Sequence, residues 1–273
     1  MALELMYITN RPEVAKIAEE NGVDRIWIDL ETRGKEERQK GMNTVKSIHT
    51  MEDISRIREI ISTSKLQVRI NPIYEKSEEE ISEVIERGAD IIMLPMFKCA
   101  EEVRYFVKSV SGRARVLLLL ETKEAVDNLD EILDIPGIDE IHIGLNDLHL
   151  SYDKKFMFEL LSDGTVEKII NKIKNRKIKY GFGGIAGLNG GMLPAKQIVA
   201  EHYRLDSEMV ILSRSFCNSD SENIEMIKNH FENGIKELRE YEKWLESASE
   251  DFFIKNKACV INNVNKIVEE IEK

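Results

Sequence analysis

Eight short runs rich in Ile, Val and Leu recur along the chain, each followed by a segment of helical period, and this alternation limits the fold more than any other feature. The runs are Leu3–Ile8, Arg25–Leu30, Leu66–Asn71, Asp90–Pro95, Arg115–Leu120, Glu140–Gly144, Lys179–Gly184 and Met209–Ser213. The fifth, "RVLLLL", shows no polar residue at alternate positions, so protein must cover both faces, as in a parallel sheet under helices. Helical segments separate the runs: over Glu13–Asn21, from about Met51 to Thr63, and after "SEEE", where Ser77 reads as an N-cap and Glu80 as its capping-box partner. No Pro-, Gly- or Ser-rich linker divides the series. The pattern predicts an α/β chain folded as one (β/α)8 TIM barrel with additional C-terminal helices. A doubly wound open sheet would more often carry a glycine-rich phosphate turn after its first strand, and "YITNRPE" has no glycine.

Within that single unit, residues 1–220 are read as the barrel and 221–273 as helices completing it. Ser221–Glu246 carries Ile224, Ile227, Phe231, Ile235 and Leu238 at helical spacing, and Ala248–Ile271 follows. This exceeds what closing a barrel requires, and the expected use of the surplus is an interface between subunits, with an outer cap as the alternative. A net charge of −11 argues against a nucleic-acid partner or an anionic membrane surface. Cys99, Cys217 and Cys259 are too few and too scattered for a disulfide framework or a zinc site. With neither a secretory leader nor a membrane-length apolar run, the expectation is a cytoplasmic protein.

In such a barrel the chemistry lies at the C-terminal strand ends. There the sequence places Asp29 and Glu31, Arg69 and Asn71, Pro95 and Met96, Glu121, Asn146 and Asp147, Gly183 and Gly184, and Arg214. A carboxylate at the end of a buried strand stays charged only if a cation or several donors compensate it. Glu121 and Asp147 follow adjacent strands, and two carboxylates without a His or Cys companion suit a hard divalent cation. An ion pair of Glu121 with Arg69 or Arg214, and an N-cap role for Asp147, fit the pattern equally well.

The stretch "LLLLETKEAVDNLDEILDIPGIDEIHIGLNDLHLSY" resembles the hallmark region of the HpcH/HpaI aldolase and citrate lyase family, and "WIDLE", "VRIN", "ADIIMLPMFKCAEEV" and "GGIAG" resemble its other strand ends. The resemblance implies a pyruvate-type barrel holding Mg²⁺, Mn²⁺ or Co²⁺ through Glu121 and Asp147, with Arg69 on the pyruvyl oxygens. It implies a lyase that makes or breaks a carbon–carbon bond in a 4-hydroxy-2-keto acid, its partners a 2-keto acid and an aldehyde. It further implies a homo-oligomer, a trimer or hexamer, with the last helix exchanged between neighbours. Main-chain amides near Gly183, Gly184 and Ile185 are expected to hold the substrate carboxylate, Asn71 and Pro95 to line its site, and Arg214 to meet its distal end.

Two departures bear on the reaction. Thr32 stands where the aldolase branch carries a catalytic His, and only "SVSGRARV" spans the place of that branch's Gly- and Arg-rich loop. The proton-transfer group must therefore come from elsewhere, and His49, His149 and Glu31 are the candidates. His142 reads as packed within a strand, and His202 and His230 as helix-surface residues. A citrate-lyase-like enzyme acting on an acyl thioester and a non-catalytic pyruvyl-binding barrel are the alternatives.

Overall fold

The computed structural model describes residues 2–34, 49–219 and 223–273. Its strands are β1 Glu4–Ile8, β2 Arg25–Asp29, β3 Lys65–Arg69, β4 Ile91–Leu94, β5 Arg115–Leu120, β6 Glu140–Ile143, β7 Lys179–Ile185 and β8 Met209–Leu212. The helices are α1 Pro12–Glu20, α2 Met51–Ile60, α3 Ser77–Glu86, α4 Ala100–Val110, α5 Lys123–Asp127, α6 Leu129–Leu133, α7 Leu145–Ser151, α8 Glu159–Ser162, α9 Thr165–Lys174, α10 Ala195–Arg204, α11 Ile224–Leu245 and α12 Glu250–Ile271. Each strand pairs in parallel with the next, and β8 returns to β1, so the sheet closes into the expected barrel.

Closure explains the unbroken apolar runs. Outward-facing Ile26, Ile28, Val116, Leu118 and Leu120 pack under the helices. Inward-facing Met6, Trp27, Met93, Leu117, Leu119 and Met209 form a separate core inside the barrel. Both faces of each strand are thus dry, and every such side chain contributes ~1.5–3 kcal/mol by burial.

The N-terminal end of the barrel is sealed by charge. Arg25, 1% exposed, meets fully buried Glu140 at 2.5 Å and also pairs with Glu4. Arg115 reaches Glu140 at 2.6 Å, and Lys179 reaches Glu4 at 2.7 Å. Burial works against the Arg25 charge, but Glu140 and Glu4 outweigh it and keep the guanidinium protonated. A satisfied ionic plug at one end leaves the opposite rim for chemistry.

The C-terminal helices lie on this chain's own barrel. α11 closes the ring beside α1, with Glu242 accepting from the Leu3 amide at 2.7 Å, Arg239 donating to the Leu3 carbonyl at 2.9 Å, and Phe231 set edge-on against Tyr7. α12 buries Val260, Val264 and Ile267, and its Asn256 donates to the Gln197 carbonyl at 3.1 Å and to Glu201 at 2.9 Å on α10. The expected helix start at Ser221 lies outside the described residues. Among the described residues no helix is long and apolar enough to cross a membrane.

Two local expectations are corrected. Ser77 is the first helical residue of α3 rather than its cap, and its hydroxyl accepts from the Tyr74 amide at 2.8 Å; Glu80 binds Asn71 instead of closing a capping box. His202 is fully buried, stacked on Phe182 at 3.8 Å between ring centres, because its face of α10 lies against β7. Burial pushes its pKa well down, so it is neutral.

Candidate active site

Register assembles the first part of the site. Asp29 and Arg69 are partners across β2 and β3 and both point inward at the barrel mouth. Arg69 donates from Nε to Asp29 Oδ1 at 2.8 Å and from Nη2 to Oδ2 at 2.7 Å, a bidentate fork; Glu31, two residues on and on the same face, lies 3.3 Å from Nη2. Burial alone would lower the Arg69 pKa, but Asp29, then Glu31, raise it above its ordinary value. The guanidinium is a permanently charged group fixed in one orientation.

Glu121 is the second part. One residue past β5 and 3% exposed, it accepts from the Met96 amide at 3.1 Å. Met96 takes a left-handed backbone (φ 54°), a costly conformation for a residue with a Cβ, and its amide is bound to this carboxylate. Gly144, the residue before α7, leaves room on the other side: a Cβ there would sit 3.0 Å from Glu121 Oε2. Thr122 ties the turn down, donating to the Phe97 carbonyl at 2.7 Å and capping α5 through the Ala125 amide at 3.2 Å. Burial, then the charge of Asp147, push the Glu121 carboxyl well above the usual range, against the pull of Arg69. Asp147 sits in the first turn of α7, half-buried, inside the helix rather than capping it.

Three carboxylates, Asp29, Glu31 and Glu121, thus act on one guanidinium at the mouth, and Asp147 acts in turn on Glu121. Among the described residues no three His, Cys, Asp or Glu side chains form a ready-made metal cage. The donor set fits a hard ion nonetheless: Glu121 and Asp147 offer only oxygen, and two such ligands leave most of a coordination shell to water and substrate, as Mg²⁺-like ions require.

The remaining candidates divide. Asn71 is engaged by the protein itself: its Oδ1 accepts from the Thr32 and Arg33 amides at 3.0 and 3.1 Å, and its Nδ2 donates to Glu80 at 2.8 Å. It ties Thr32 and Arg33 to the residues just past β3. Pro95 is buried at the end of β4, and Gly183, Gly184 and Ile185 end β7, with Gly183 in a left-handed conformation (φ 54°). Arg214 is exposed beyond β8. His149 binds the Leu145 carbonyl at 3.0 Å and, two residues after Asp147, faces the opposite side of α7. His49 returns to the mouth, where its Nδ1 accepts from the Asp29 amide at 2.9 Å. His142 is buried inside the barrel with Nε2 3.0 Å from the Gly183 carbonyl, and burial lowers its pKa to about 4. His230 is exposed on α11.

Sequence reasoning missed the Met96 amide and the role of Asp29 as the clamp on Arg69. The second was within reach, since Asp29 and Glu31 alternate in phase in "WIDLE" and so share a face.

Fold and site together define a (β/α)8 barrel with an acidic, arginine-bearing mouth at its C-terminal rim. The chain belongs to the HpcH/HpaI aldolase/citrate lyase family, whose model matches residues 4–178. It is similar to the 2-keto-3-deoxy-L-rhamnonate aldolase of Escherichia coli (strain K12), with 29% identity over 168 residues, 50% of this chain and 57% of that protein. The chain therefore spans little more than half the length of the curated relatives it matches. Its fold is similar to that of an HpcH/HpaI aldolase from Desulfitobacterium hafniense DCB-2 (TM-score 0.61, 16% identity, 87% of this chain and 93% of that one). It is also similar to that of the citrate synthase SbnG (TM-score 0.62, 15% identity, 89% and 95%).

Proposed function

We propose that this protein is a divalent-metal-dependent carbon–carbon lyase that cleaves or forms a 4-hydroxy-2-keto acid through a pyruvate enolate. The observation that carries the reading is Glu121, a buried carboxyl at the barrel mouth that burial and the charge of Asp147 push well above the usual range, against the pull of Arg69. A divalent cation between the two carboxylates would offset both causes of that shift, and this supports the reading.

Glu121 and Asp147 would hold the divalent ion, which would supply a Lewis acid for the keto oxygen, where charge develops as the C3–C4 bond breaks. Arg69, oriented by Asp29 and Glu31, places a second fixed positive group toward the same oxygens, so little reorganisation is needed when the charge appears. Main-chain amides at Gly183, Gly184 and Ile185 hold the carboxylate, where glycine permits close approach. Glu31 serves Arg69, and His149 faces away from Asp147, which leaves His49 beside the reacting end. An assembly into trimers or hexamers belongs to the same reading, supported by the apolar Trp244 and Ile254 exposed on α11 and α12.

The test is pyruvate C3 proton exchange in deuterated water, followed by NMR with and without Mn²⁺ on wild type and Glu121→Gln. Exchange needs only enolate formation, so the aldehyde need not be known. Decay of the methyl signal that requires both metal and Glu121 supports the reading. A methyl signal that persists in wild type under every condition refutes it.

A further inference from the structure

Glu121 stands past the end of β5, between the ends of β4 and β6, and each neighbour meets one side of its carboxylate. On the β4 side the Met96 amide donates to Oε1 at 3.1 Å. On the β6 side the Gly144 amide continues the ladder, donating to the Leu120 carbonyl at 2.9 Å. That bond brings Gly144 so close that a Cβ there would lie 3.0 Å from both Oε2 and the Glu121 Cβ. The two carboxylate oxygens are therefore not equivalent. Oε1 faces the turn after β4, and Oε2 faces the start of α7, whose first turn carries Asp147.

The backbone of Met96 aims its amide. A left-handed residue with a Cβ (φ 54° here) persists only where its surroundings fix it, and the next three residues are bonded on every side. Phe97 is buried, and its carbonyl accepts from the Thr122 hydroxyl at 2.7 Å. The Lys98 carbonyl accepts from Asn128 at 3.0 Å, and Glu102 accepts from the Lys98 and Cys99 amides at 2.6 and 3.3 Å. On the other side, the ring of buried Pro95 fixes its own φ. The turn after β4 is thus tied to the turn after β5, the one that carries Glu121. The half-buried Met96 side chain takes no part in these bonds.

We infer that Met96 is a positioning residue for the metal site: its left-handed backbone, rather than its side chain, holds Glu121 Oε1 on a main-chain amide and presents Oε2, on the Asp147 side, as the oxygen that would bind the ion. A hydrogen bond to a ligating carboxylate is an outer-shell contact, and such contacts fix ligand orientation. The assignment rests on the metal-dependent reading above and adds which oxygen is used and what keeps it in place.

The test is Mn²⁺ affinity by EPR titration on wild type, Met96→Gly, Met96→Asn and Met96→Val, with thermal unfolding in EDTA to check that each is folded. Amide exchange of ¹⁵N-methionine-labelled wild type, with and without Mg²⁺, accompanies it; the signal missing from Met96→Gly identifies the Met96 amide. Glycine and asparagine accept a left-handed backbone and valine resists it, whereas valine keeps more of the apolar side chain than glycine does. Backbone control and side-chain control therefore rank Met96→Gly and Met96→Val in opposite orders. The expected affinity is within about threefold of wild type in Met96→Gly and Met96→Asn, and about 10–100-fold weaker in Met96→Val. The Met96 amide is expected to stay protected from exchange when Mg²⁺ binds. Weaker binding in Met96→Gly than in Met96→Val, undiminished binding in Met96→Val, or loss of amide protection on Mg²⁺ binding each overturns the assignment. If Met96→Val does not fold, retained affinity in Met96→Gly and a protected wild-type amide support the assignment, and failure of either overturns it. Wild type that binds no Mn²⁺ overturns the metal-dependent reading and this one with it, whereas wild-type binding that Glu121→Gln abolishes and Met96→Val leaves unchanged overturns this one alone.

Discussion

Replacing Glu121 by Gln separates the functional role of that carboxylate from any structural one. The amide matches the carboxylate in shape, and its oxygen can still accept from the Met96 amide, now at 3.1 Å from Glu121. What disappears is a buried negative charge that Asp147 repels. In EDTA the variant is therefore expected to be as stable as wild type or more so, by ~0.5–2 kcal/mol, the usual return when functional strain is removed. Metal reverses the order. At a Mn²⁺ concentration of about 100 times Kd, wild type gains about 2.7 kcal/mol. At ~2–4 °C per kcal/mol for a chain of this size, that raises Tm by about 5–10 °C. The variant, missing one of the two proposed ligands, should gain less than about a quarter of this. Calorimetry in EDTA and across a Mn²⁺ titration measures both quantities. A variant with the full Mn²⁺ shift would remove Glu121 from the metal site, and one destabilised by more than about 2 kcal/mol in EDTA would make the carboxylate a structural partner.

Asp29→Asn breaks the fork on Arg69 and leaves Glu31, 3.3 Å away, as its nearest charge; the expected cost in urea unfolding is about 1.5–3 kcal/mol, with a rise in KM for pyruvate-type ligands. Gly144→Ala sets a Cβ 3.0 Å from Glu121 Oε2, so Mn²⁺ affinity by EPR titration should drop about tenfold while stability changes by less than about 1 kcal/mol. His142, at about 4 in the folded protein against 6.5 for a free imidazole, is depressed by burial, so its contribution is complete above 6.5 and is lost as pH falls toward 4. Between pH 7 and pH 5 wild type should lose about 2 kcal/mol more than His142→Gln, measured by urea unfolding at both pH values.

The barrel was legible because its cause is local. A strand buried on both faces needs an unbroken apolar run, and Val116–Leu120 and Ile91–Leu94 show this without reference to the rest of the chain. The same logic marked Glu121, since a carboxylate directly after such a run is out of place without a partner. The helical histidines were less legible. His202 and His230 read alike in sequence, yet one is stacked beneath β7 and the other is exposed, because burial depends on which face of the helix meets the sheet. Ser77 and Glu80 have the spacing of a capping box, but Asn71 competes for Glu80 and prevails because it brings both its own amide and its side chain.

By itself, the sequence determined the number of strands, their parallel order, the rim on which charged residues gather, and the presence of Glu121, Asp147 and Arg69 on that rim. Burial and period act over a few residues at a time, and that is the range a sequence displays directly. The tertiary structure decided which of those residues meet. The register of β2 on β3 gives Arg69 to Asp29, the turn after β4 delivers the Met96 amide to Glu121, and the return of the chain at α2 brings His49 onto the Asp29 amide. These pairings join residues 20 to 40 positions apart. Only closure of the barrel fixes such distances, because the free energy that holds each pair in place comes from the packing of the whole ring.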